Sequence, residues 1–256
     1  MKIGMIGFGN MAQAMLEGFL LKALVEPEDV FVCAAHYDLL CLRAQQYGVH
    51  ACHDAQEVID QSELILLAIK PYQVEALVPS LDFQEKLLVS VVAGYSFEKL
   101  SKLVSHGNTI CIIPNTPIAI GEGITLVEEE TNSTPEELAS FMSLFSPVSL
   151  VQFVDEAHMK TALILASCAP AFADLMIEAL GDAGVEYGLD RKMAYTLAAK
   201  MLVGTGGLYL EKGLHPGAMK DAVCSPKGMT IKGVTTLEKR GFRASLIEAV
   251  EAIDES

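Results

Sequence analysis

The chain has 256 residues and a formal net charge of −15, from 18 basic and 33 acidic residues. This acidity argues against a protein that binds nucleic acid or an anionic membrane surface, because their phosphate groups repel it. Hydrophobic residues make up 51% of the chain, which excludes intrinsic disorder. The length fits one large domain or two smaller ones.

No apolar stretch reaches the roughly 20 residues of a membrane span. The longest, Ala162 to Ala173, ends at Asp174, so we expect no transmembrane helix and attribute the apolar surplus to subunit contacts. Glycines and polar residues interrupt the first 20 residues, unlike a signal peptide. We therefore expect a cytoplasmic protein with six reduced cysteines. Neither cysteines nor histidines have the spacing of metal ligands, so no metal site is expected.

Between residues 1 and about 150, short β-branched runs alternate with helix-like stretches, which is typical of a parallel sheet covered on both faces. The expected strands are Lys2–Ile6, Val30–Cys33, Leu64–Ile69, Leu87–Val92, Thr109–Ile113 and Gly123–Val127. The expected helices include Met11–Leu24, Leu39–Tyr47 and Phe97–Val104. Thr134 is expected to cap a further helix that has Pro135 at its first position.

From about residue 156 the periodicity becomes helical. The expected helices are Glu156–Ala183, Asp190–Lys212, Pro216–Val223, Thr230–Arg240 and Ala244–Asp254. We therefore predict two domains, an α/β domain over residues 1–155 and an all-helical domain over residues 156–256. Small residues such as Gly204, Gly206 and Gly207 are places where helices could approach closely, and such a domain often forms an obligate interface.

The strongest local motif is the glycine-rich turn Gly7-Phe8-Gly9-Asn10-Met11-Ala12, which lies between the first expected strand and helix. This is the context of a dinucleotide-binding fingerprint. Gly7 permits a tight turn, Gly9 lets the backbone approach a pyrophosphate, and Ala12 lets the helix pack against the strand. The pyrophosphate would then lie on free N–H groups at the helix N-terminus. The alternative is a purely structural turn.

The tip of the second strand discriminates between NADH and NADPH, because acidic residues there bind the ribose 2′-hydroxyl and basic residues accommodate a 2′-phosphate. The sequence reads Ala34-Ala35-His36-Tyr37-Asp38, with no acidic residue at the tip itself. Ala35 and His36 are therefore expected beside the ribose, and His36, as a donor to a phosphate, favours NADPH. The alternative is an exposed loop histidine.

Two more turns follow strands at the edge where ligands bind in open α/β sheets. Ala68-Ile69-Lys70-Pro71 ends the third expected strand, and we expect Lys70 to support the cofactor. The segment Pro114-Asn115-Thr116-Pro117 ends the fifth. Asn115, held between prolines, is expected to bond the nicotinamide carboxamide. The alternatives are a solvated lysine and a simple turn asparagine.

These motifs resemble the pyrroline-5-carboxylate reductase family over nearly the whole chain. In the first half the resemblance rests on Ile6–Met11, Ala68–Pro71, Ala93–Gly94 and Pro114–Pro117. In the second half it rests on Pro170–Phe172, Asp182–Leu189, His215–Gly217, Ser225–Thr230 and Leu237–Ala244. It implies a Rossmann-type, doubly wound, mainly parallel sheet, followed by an all-helical dimerisation domain. It also implies reduction of the C=N bond of 1-pyrroline-5-carboxylate by NAD(P)H to L-proline, the last step of proline biosynthesis.

The resemblance further implies the substrate site. Its carboxylate would bind the loop Ser225–Thr230, through backbone N–H groups around Gly228 and Met229 and through the Thr230 hydroxyl. Thr230 would also approach the ring nitrogen as the catalytic residue, and Ser167 would lie near the substrate. A cyclic imine protonated in water needs orientation more than acid–base catalysis. The alternative for Thr230 is a plain helix N-cap.

The chain departs from the family pattern where the substrate is expected. Ser167 and Lys227 each replace a family glycine, and Lys200 replaces a glutamine. A positive φ at Lys227 would cost roughly 1 kcal/mol. The departures leave two alternatives, a paralogue that reduces another cyclic imino acid and an NADP-binding protein without catalysis. A hydroxyacid dehydrogenase with Lys160 as proton donor is disfavoured, because that family's glycine and asparagine residues are missing around Lys160.

Overall fold

The structure is a computed structural model that describes residues 1–255. The chain divides into two compact units, Met1–Ser167 and a second unit that begins at Cys168. The first contains one sheet, in the order β3-β2-β1-β4-β5-β6-β7-β8. Its strands are β1 (Ile3–Ile6), β2 (Val30–Cys33), β3 (His50–Ala51), β4 (Leu64–Leu67), β5 (Leu87–Ser90), β6 (Asn108–Pro114), β7 (Gly123–Glu128) and β8 (Ser149–Val154).

Strands β1 to β6 are mutually parallel, in the order of a dinucleotide-binding Rossmann sheet. β7 pairs antiparallel with β6, and β8 pairs parallel with β7. The helices of this unit are α1 (Asn10–Leu21), α2 (Tyr37–Tyr47), α3 (Ala55–Gln61), α4 (Pro71–Leu77), α5 (Phe97–Ser101), α6 (Pro135–Phe145) and α7 (Glu156–Leu163). The predicted doubly wound, mainly parallel sheet is confirmed.

Alternation along the strands divides the core between the two faces of the sheet. Leu64 and Leu66 belong to one apolar cluster, which includes Phe19 and Phe145, whereas Ile65 lies in a second cluster. Successive side chains of a strand point to opposite faces, so each cluster covers one face. All four residues of β1, β4 and β5 are buried, as expected for strands between two helix layers.

Four elements of this unit are not among those predicted from the sequence: β3, β8, α3 and α4. β3 has two residues, and α3 and α4 have seven each, too few for a clear periodicity. β8 lies at an edge of the sheet and is only partly buried. A strand at the edge tolerates polar residues, and Ser149 and Gln152 interrupt the apolar run that would have predicted β8.

The first compact unit extends to Ser167, so it also contains α7, which follows the predicted domain boundary at residue 155. The reason is that α7 packs on β7 and β8, although its sequence is helical like the region that follows. A short π-helical segment, Ile164–Cys168, comes after α7.

The second unit is all helical, as predicted. Its helices are α8 (Pro170–Glu186), α9 (Arg191–Lys212), α10 (Pro216–Ala222), α11 (Met229–Lys239) and α12 (Phe242–Asp254). Two glycines let α8 and α9 approach closely, because a Cβ at Gly181 would collide with the Tyr195 ring and one at Gly184 would lie 2.9 Å from Ala194 Cβ. At Gly204, Gly206 and Gly207 a Cβ would meet no atom of the described chain within 4 Å.

The predicted cap of α6 is confirmed. Thr134 Oγ1 accepts a hydrogen bond from the Glu137 N–H at 3.2 Å, the Glu137 carboxylate accepts one from the Thr134 N–H at 2.8 Å, and Pro135 occupies the first position. This reciprocal pair is a capping box.

Replacing Thr134 by Ala is expected to lower the free energy of unfolding by about 1 kcal/mol, because the Glu137 N–H loses its acceptor. Urea unfolding followed by circular dichroism measures the change. Thr134→Ser keeps the hydroxyl oxygen and is expected to unfold near the midpoint of the unchanged protein. Equal losses in both variants would assign the effect to the threonine methyl group instead.

Candidate active site

A cleft opens at the carboxyl ends of β1, β2 and β4, where the order of the parallel strands reverses direction. This switch point is where open α/β sheets bind ligands. The cleft has a volume of about 540 Å³. Eight residues predicted to bind the cofactor line it: Ile6, Gly7, Phe8, Gly9, Ala35, His36, Ala68 and Lys70. The predicted neighbours Asn10 and Met11 begin α1, and Pro71 begins α4.

The two glycines of the turn are required for different reasons. Gly7 has a φ of +94°, and a Cβ there would lie 2.7 Å from the Ala68 carbonyl carbon, so the protein itself demands glycine. Gly9 has a φ of −84° and caps α1 without a side-chain hydrogen bond. A Cβ at Gly9 would meet nothing within 4 Å. Packing within the protein does not explain this glycine, whereas close approach of a ligand does.

The N-terminus of α1 supplies donors at this position. The first N–H groups of any helix lack intrahelical acceptors, and no side chain caps α1. Ala12 is fully buried behind the turn, which holds the helix against the sheet. Free N–H groups beside an open glycine form the binding surface that a pyrophosphate requires, so the residues present fit a dinucleotide.

Side chains from β2, from α2 and from the segment that follows β3 form the wall on one side of the cleft. His36 is the N-cap residue of α2 and is exposed, with no capping bond from its side chain. Arg43, two turns further along α2, also lines the cleft, as does His53 beyond β3. The His53 and Tyr37 rings are stacked with centroids 4.3 Å apart. Arg43 and His53 are not among the residues predicted from the sequence, although the two-turn spacing from His36 to Arg43 places both on one face of α2.

Two cysteines lie where β2 runs alongside β3. Burial raises the pKa of the Cys33 thiol to about 12 and that of Cys52 to about 11. Both groups are therefore uncharged at neutral pH. Cys33 lines the cleft and contributes a neutral, apolar wall rather than a nucleophile.

Ala93, Gly94 and Asn115 follow β5 and β6 at the same edge of the sheet but do not line this cleft. Gly94 has a φ of +78° with open space around it. Asn115 is buried, its Nδ2 donates to the Ala166 carbonyl at 2.8 Å, and its Oδ1 accepts from the Ile124 N–H at 2.7 Å. Both polar ends of the Asn115 side chain thus join protein segments. The expected bond from Asn115 to the nicotinamide carboxamide stays a prediction.

The expected substrate loop lies in the second unit and leads directly into α11. Gly228 is the N-cap residue, and its N–H donates to the Ser225 carbonyl at 2.9 Å. Met229 and Thr230 are the first two helical residues, and both are exposed. The alternative of Thr230 as the N-cap residue is therefore wrong, because Thr230 is the second residue of α11.

The three family departures occupy different places. Lys227 adopts a φ of +61°, so the strain anticipated from the sequence is present at this position. Ser167 is exposed and is the last residue of the first unit, and Lys200 is exposed on α9. Lys160 is an exposed residue of α7.

Comparisons with known proteins agree with this architecture. Residues 156–256 match the family "pyrroline-5-carboxylate reductase dimerisation", and residues 2–94 match "NADP oxidoreductase coenzyme F420-dependent". The chain is 39% identical to pyrroline-5-carboxylate reductase of Treponema pallidum, with 98% of each chain covered. It belongs to the pyrroline-5-carboxylate reductase family.

Further relatives extend the similarity to a solved structure. The Escherichia coli pyrroline-5-carboxylate reductase is 36% identical, with 97% of this chain and 94% of the relative covered. The crystal structure of Plasmodium falciparum pyrroline carboxylate reductase with NADP bound is 26% identical and superposes with a TM-score of 0.86, covering 99% of this chain and 95% of the other. The similarity spans both units of the chain.

The two glycines of the turn provide a matched pair of variants. Gly9→Ala is expected to keep the melting temperature, since its Cβ enters open space, and to weaken NADPH binding about tenfold or more. Gly7→Ala is expected to destabilise the fold by about 2 kcal/mol or more, because of its backbone collision and positive φ.

Thermal unfolding and NADPH titration of both variants check this pair. An unchanged NADPH affinity in Gly9→Ala would remove the turn from the cofactor site. A loss of stability in Gly9→Ala as large as that in Gly7→Ala would contradict the open space at Gly9.

Proposed function

We propose that this protein reduces the C=N bond of 1-pyrroline-5-carboxylate with NADPH to give L-proline. The observation that carries the proposal is the 39% identity to a pyrroline-5-carboxylate reductase over 98% of both chains. The open glycine turn supports it independently, because Gly9 has no structural reason within the protein. The enzyme is thus an oxidoreductase that acts on a CH–NH bond.

The first unit would bind and orient the cofactor. The uncapped N–H groups of Asn10 and Met11 and the open face of Gly9 would hold the pyrophosphate. Ala35 and His36 would lie beside the adenosine ribose, and Lys70 and Pro71 would close the cleft on its β4 side. Ala93 and Gly94 are proposed to line the nicotinamide side, because Gly94 has no side chain and the space beside its backbone is open. When bound, NADPH supplies the hydride.

The loop before α11, in the second unit, provides donors for a carboxylate. The N–H groups of Met229 and Thr230 have no intrahelical acceptors, and the positive end of the α11 dipole favours an anion there. The Thr230 hydroxyl adds a donor in the same turn and is proposed to approach the ring nitrogen, while Ser225 and Gly228 fix the turn. Ser167 is proposed as a further substrate neighbour. A cyclic imine is protonated in water, so orientation is the main task of these groups.

The helical unit is proposed to form a homodimer or a larger homo-oligomer. Large apolar side chains on α8 and α9 are exposed in the single chain, among them Leu175, Leu197, Val203 and Leu210. By length and composition alone, Glu156–Glu186 is apolar enough to cross a membrane, and 11% of its most apolar window is buried. The sequence analysis expected no such helix. Because the same residues open the dimerisation match, we assign their apolar surface to subunit contacts.

The proposal places the enzyme in the cytoplasm, acting on a small cyclic imino acid.

Turnover of pyrroline-5-carboxylate with NADPH, followed by the loss of nicotinamide absorbance, tests the proposed reaction. We expect Thr230→Ala to raise the KM for the imine about tenfold, because one hydrogen bond to a charged group is lost, with little change in NADPH affinity. Thr230→Ser keeps the hydroxyl and is expected to have a KM near that of the unchanged protein. An unaltered KM in Thr230→Ala would remove Thr230 from the substrate site.

A second experiment tests the role of the apolar face. Leu197→Glu is expected to shift the protein towards monomers in analytical ultracentrifugation, because it places a charge in a contact that excludes water. Leu42→Glu alters an equally exposed leucine of α2 and is expected to leave the oligomer intact. A Leu197→Glu variant with the original mass would place the subunit contact elsewhere.

A further inference from the structure

Arg43 is unusual by its position. The sequence contains four arginines, and three of them, Arg191, Arg240 and Arg243, lie in the second unit. Arg43 is therefore the one arginine of the first unit, and it lines the nucleotide cleft. The protein carries a net charge of −15, so a lone guanidinium in this cleft is a marked local departure from the overall charge.

The fold aims Arg43 at the cleft. His36, Leu39, Leu40 and Arg43 follow the three- and four-residue spacing of one helix face, and all four line the cleft. The Arg43 Nη1 lies 3.4 Å from the Phe8 carbonyl of the glycine turn. That carbonyl already accepts a shorter hydrogen bond, at 3.0 Å, from Gln13. The contact to Phe8 is therefore weak and leaves the other guanidinium donors available.

The neighbouring acidic groups do not neutralise Arg43. Among residues 1–255, Arg43 takes part in no ion pair. Asp54, the one carboxylate that lines the cleft, accepts a hydrogen bond from the Glu57 N–H at 2.9 Å. Glu17, which like Arg43 acts on the Tyr47 hydroxyl, accepts a hydrogen bond from that hydroxyl at 2.6 Å. A partly buried guanidinium with free donors indicates an anionic ligand, because desolvated charges in proteins are normally paired.

We propose that Arg43 binds the 2′-phosphate of NADPH and is the main determinant of the preference for NADPH over NADH. This inference rests on the proposed function in one respect, that the dinucleotide occupies this cleft. Guanidinium groups bind phosphate through paired donors and keep their charge at any physiological pH. The selecting cation would then stand on the second turn of α2, rather than at the tip of β2. His36 contributes as a second, weaker donor, since a neutral imidazole has one N–H.

Two adenosine nucleotides that differ only in the 2′-phosphate measure its contribution to binding. Adenosine 2′,5′-bisphosphate carries the 2′-phosphate, and adenosine 5′-monophosphate lacks it. The unchanged protein is expected to bind the bisphosphate more tightly in calorimetric titration. Arg43→Met keeps most of the side-chain length without the charge, and is expected to reduce this preference about 10- to 100-fold. Arg43→Lys keeps a cation and is expected to retain part of the preference.

The same variants are assayed in turnover. Arg43→Met is expected to lower kcat/KM measured against NADPH by a similar factor and to leave the value measured against NADH nearly unchanged. Lys102→Met removes one positive charge from an exposed pair with Glu98, away from the cleft, and is expected to behave like the unchanged protein. Thermal unfolding of each variant verifies that it is folded.

The outcomes distinguish this inference from the proposed function. If the unchanged protein binds neither NADPH nor the bisphosphate, the proposed function itself is wrong. If it prefers the bisphosphate and Arg43→Met keeps that preference, the assignment of Arg43 is wrong and His36 carries the discrimination. If Arg43→Met weakens both fragments equally, Arg43 acts on the 5′-phosphate side, which also overturns the inference.

Discussion

The close approach of three backbone segments at Gly7 is the constraint on which the nucleotide site depends. Its N–H donates to the Cys33 carbonyl at 2.9 Å, at the end of β2, and its missing Cβ leaves room for the Ala68 carbonyl at the end of β4. The ends of β1, β2 and β4 are thereby held together at the point where the strand order reverses. The cleft and the orientation of α1 both follow from this junction, since α1 begins directly after Gly9.

The charge around the nucleotide cleft is opposite in sign to the net charge of the chain. The protein is strongly acidic, yet its nucleotide cleft is lined by four basic side chains, Arg43, Lys70, His36 and His53. Only one carboxylate, Asp54, lines the same cleft. Such a cleft attracts an anionic dinucleotide while the rest of the surface repels anions without specific contacts. The neutral thiol of Cys33 preserves this balance, because burial keeps it protonated.

The second unit has a lysine with a positive φ, Lys227, and a large exposed apolar surface on α8 and α9. Lys227 holds a left-handed conformation that costs a lysine more than a glycine. Strained residues of this kind tend to persist at functional sites, and Lys227 lies within the proposed carboxylate loop Ser225–Thr230. The helices α8 and α9 expose apolar side chains that isolated soluble units seldom leave uncovered, in agreement with the match to a dimerisation family.

Local residue patterns were sufficient to predict much of the molecule. The apolar runs predicted β1, β2 and β4 to within two residues, because strands buried on both faces read as continuous apolar sequence. The motif from Gly7 to Ala12 predicted the turn, and Thr134 predicted a helix start, because both depend on neighbours a few residues away. The family resemblance added the helical unit's role and the substrate loop.

Other features depended on contacts between residues far apart in the sequence. Asn115 has both side-chain ends bound, to Ala166 and Ile124, which no local pattern indicates. The antiparallel direction of β7 and the edge position of β8 depend on pairing between strands, which the local sequence does not specify. In the sequence, Arg43 is an ordinary polar residue of a helix. Only the packing of α2 beside β1 and β2 brings it next to the glycine turn. The sequence determined which local elements form and what cofactor chemistry they suit, and the tertiary structure decided which side chains share the cleft, because that depends on packing across the sheet.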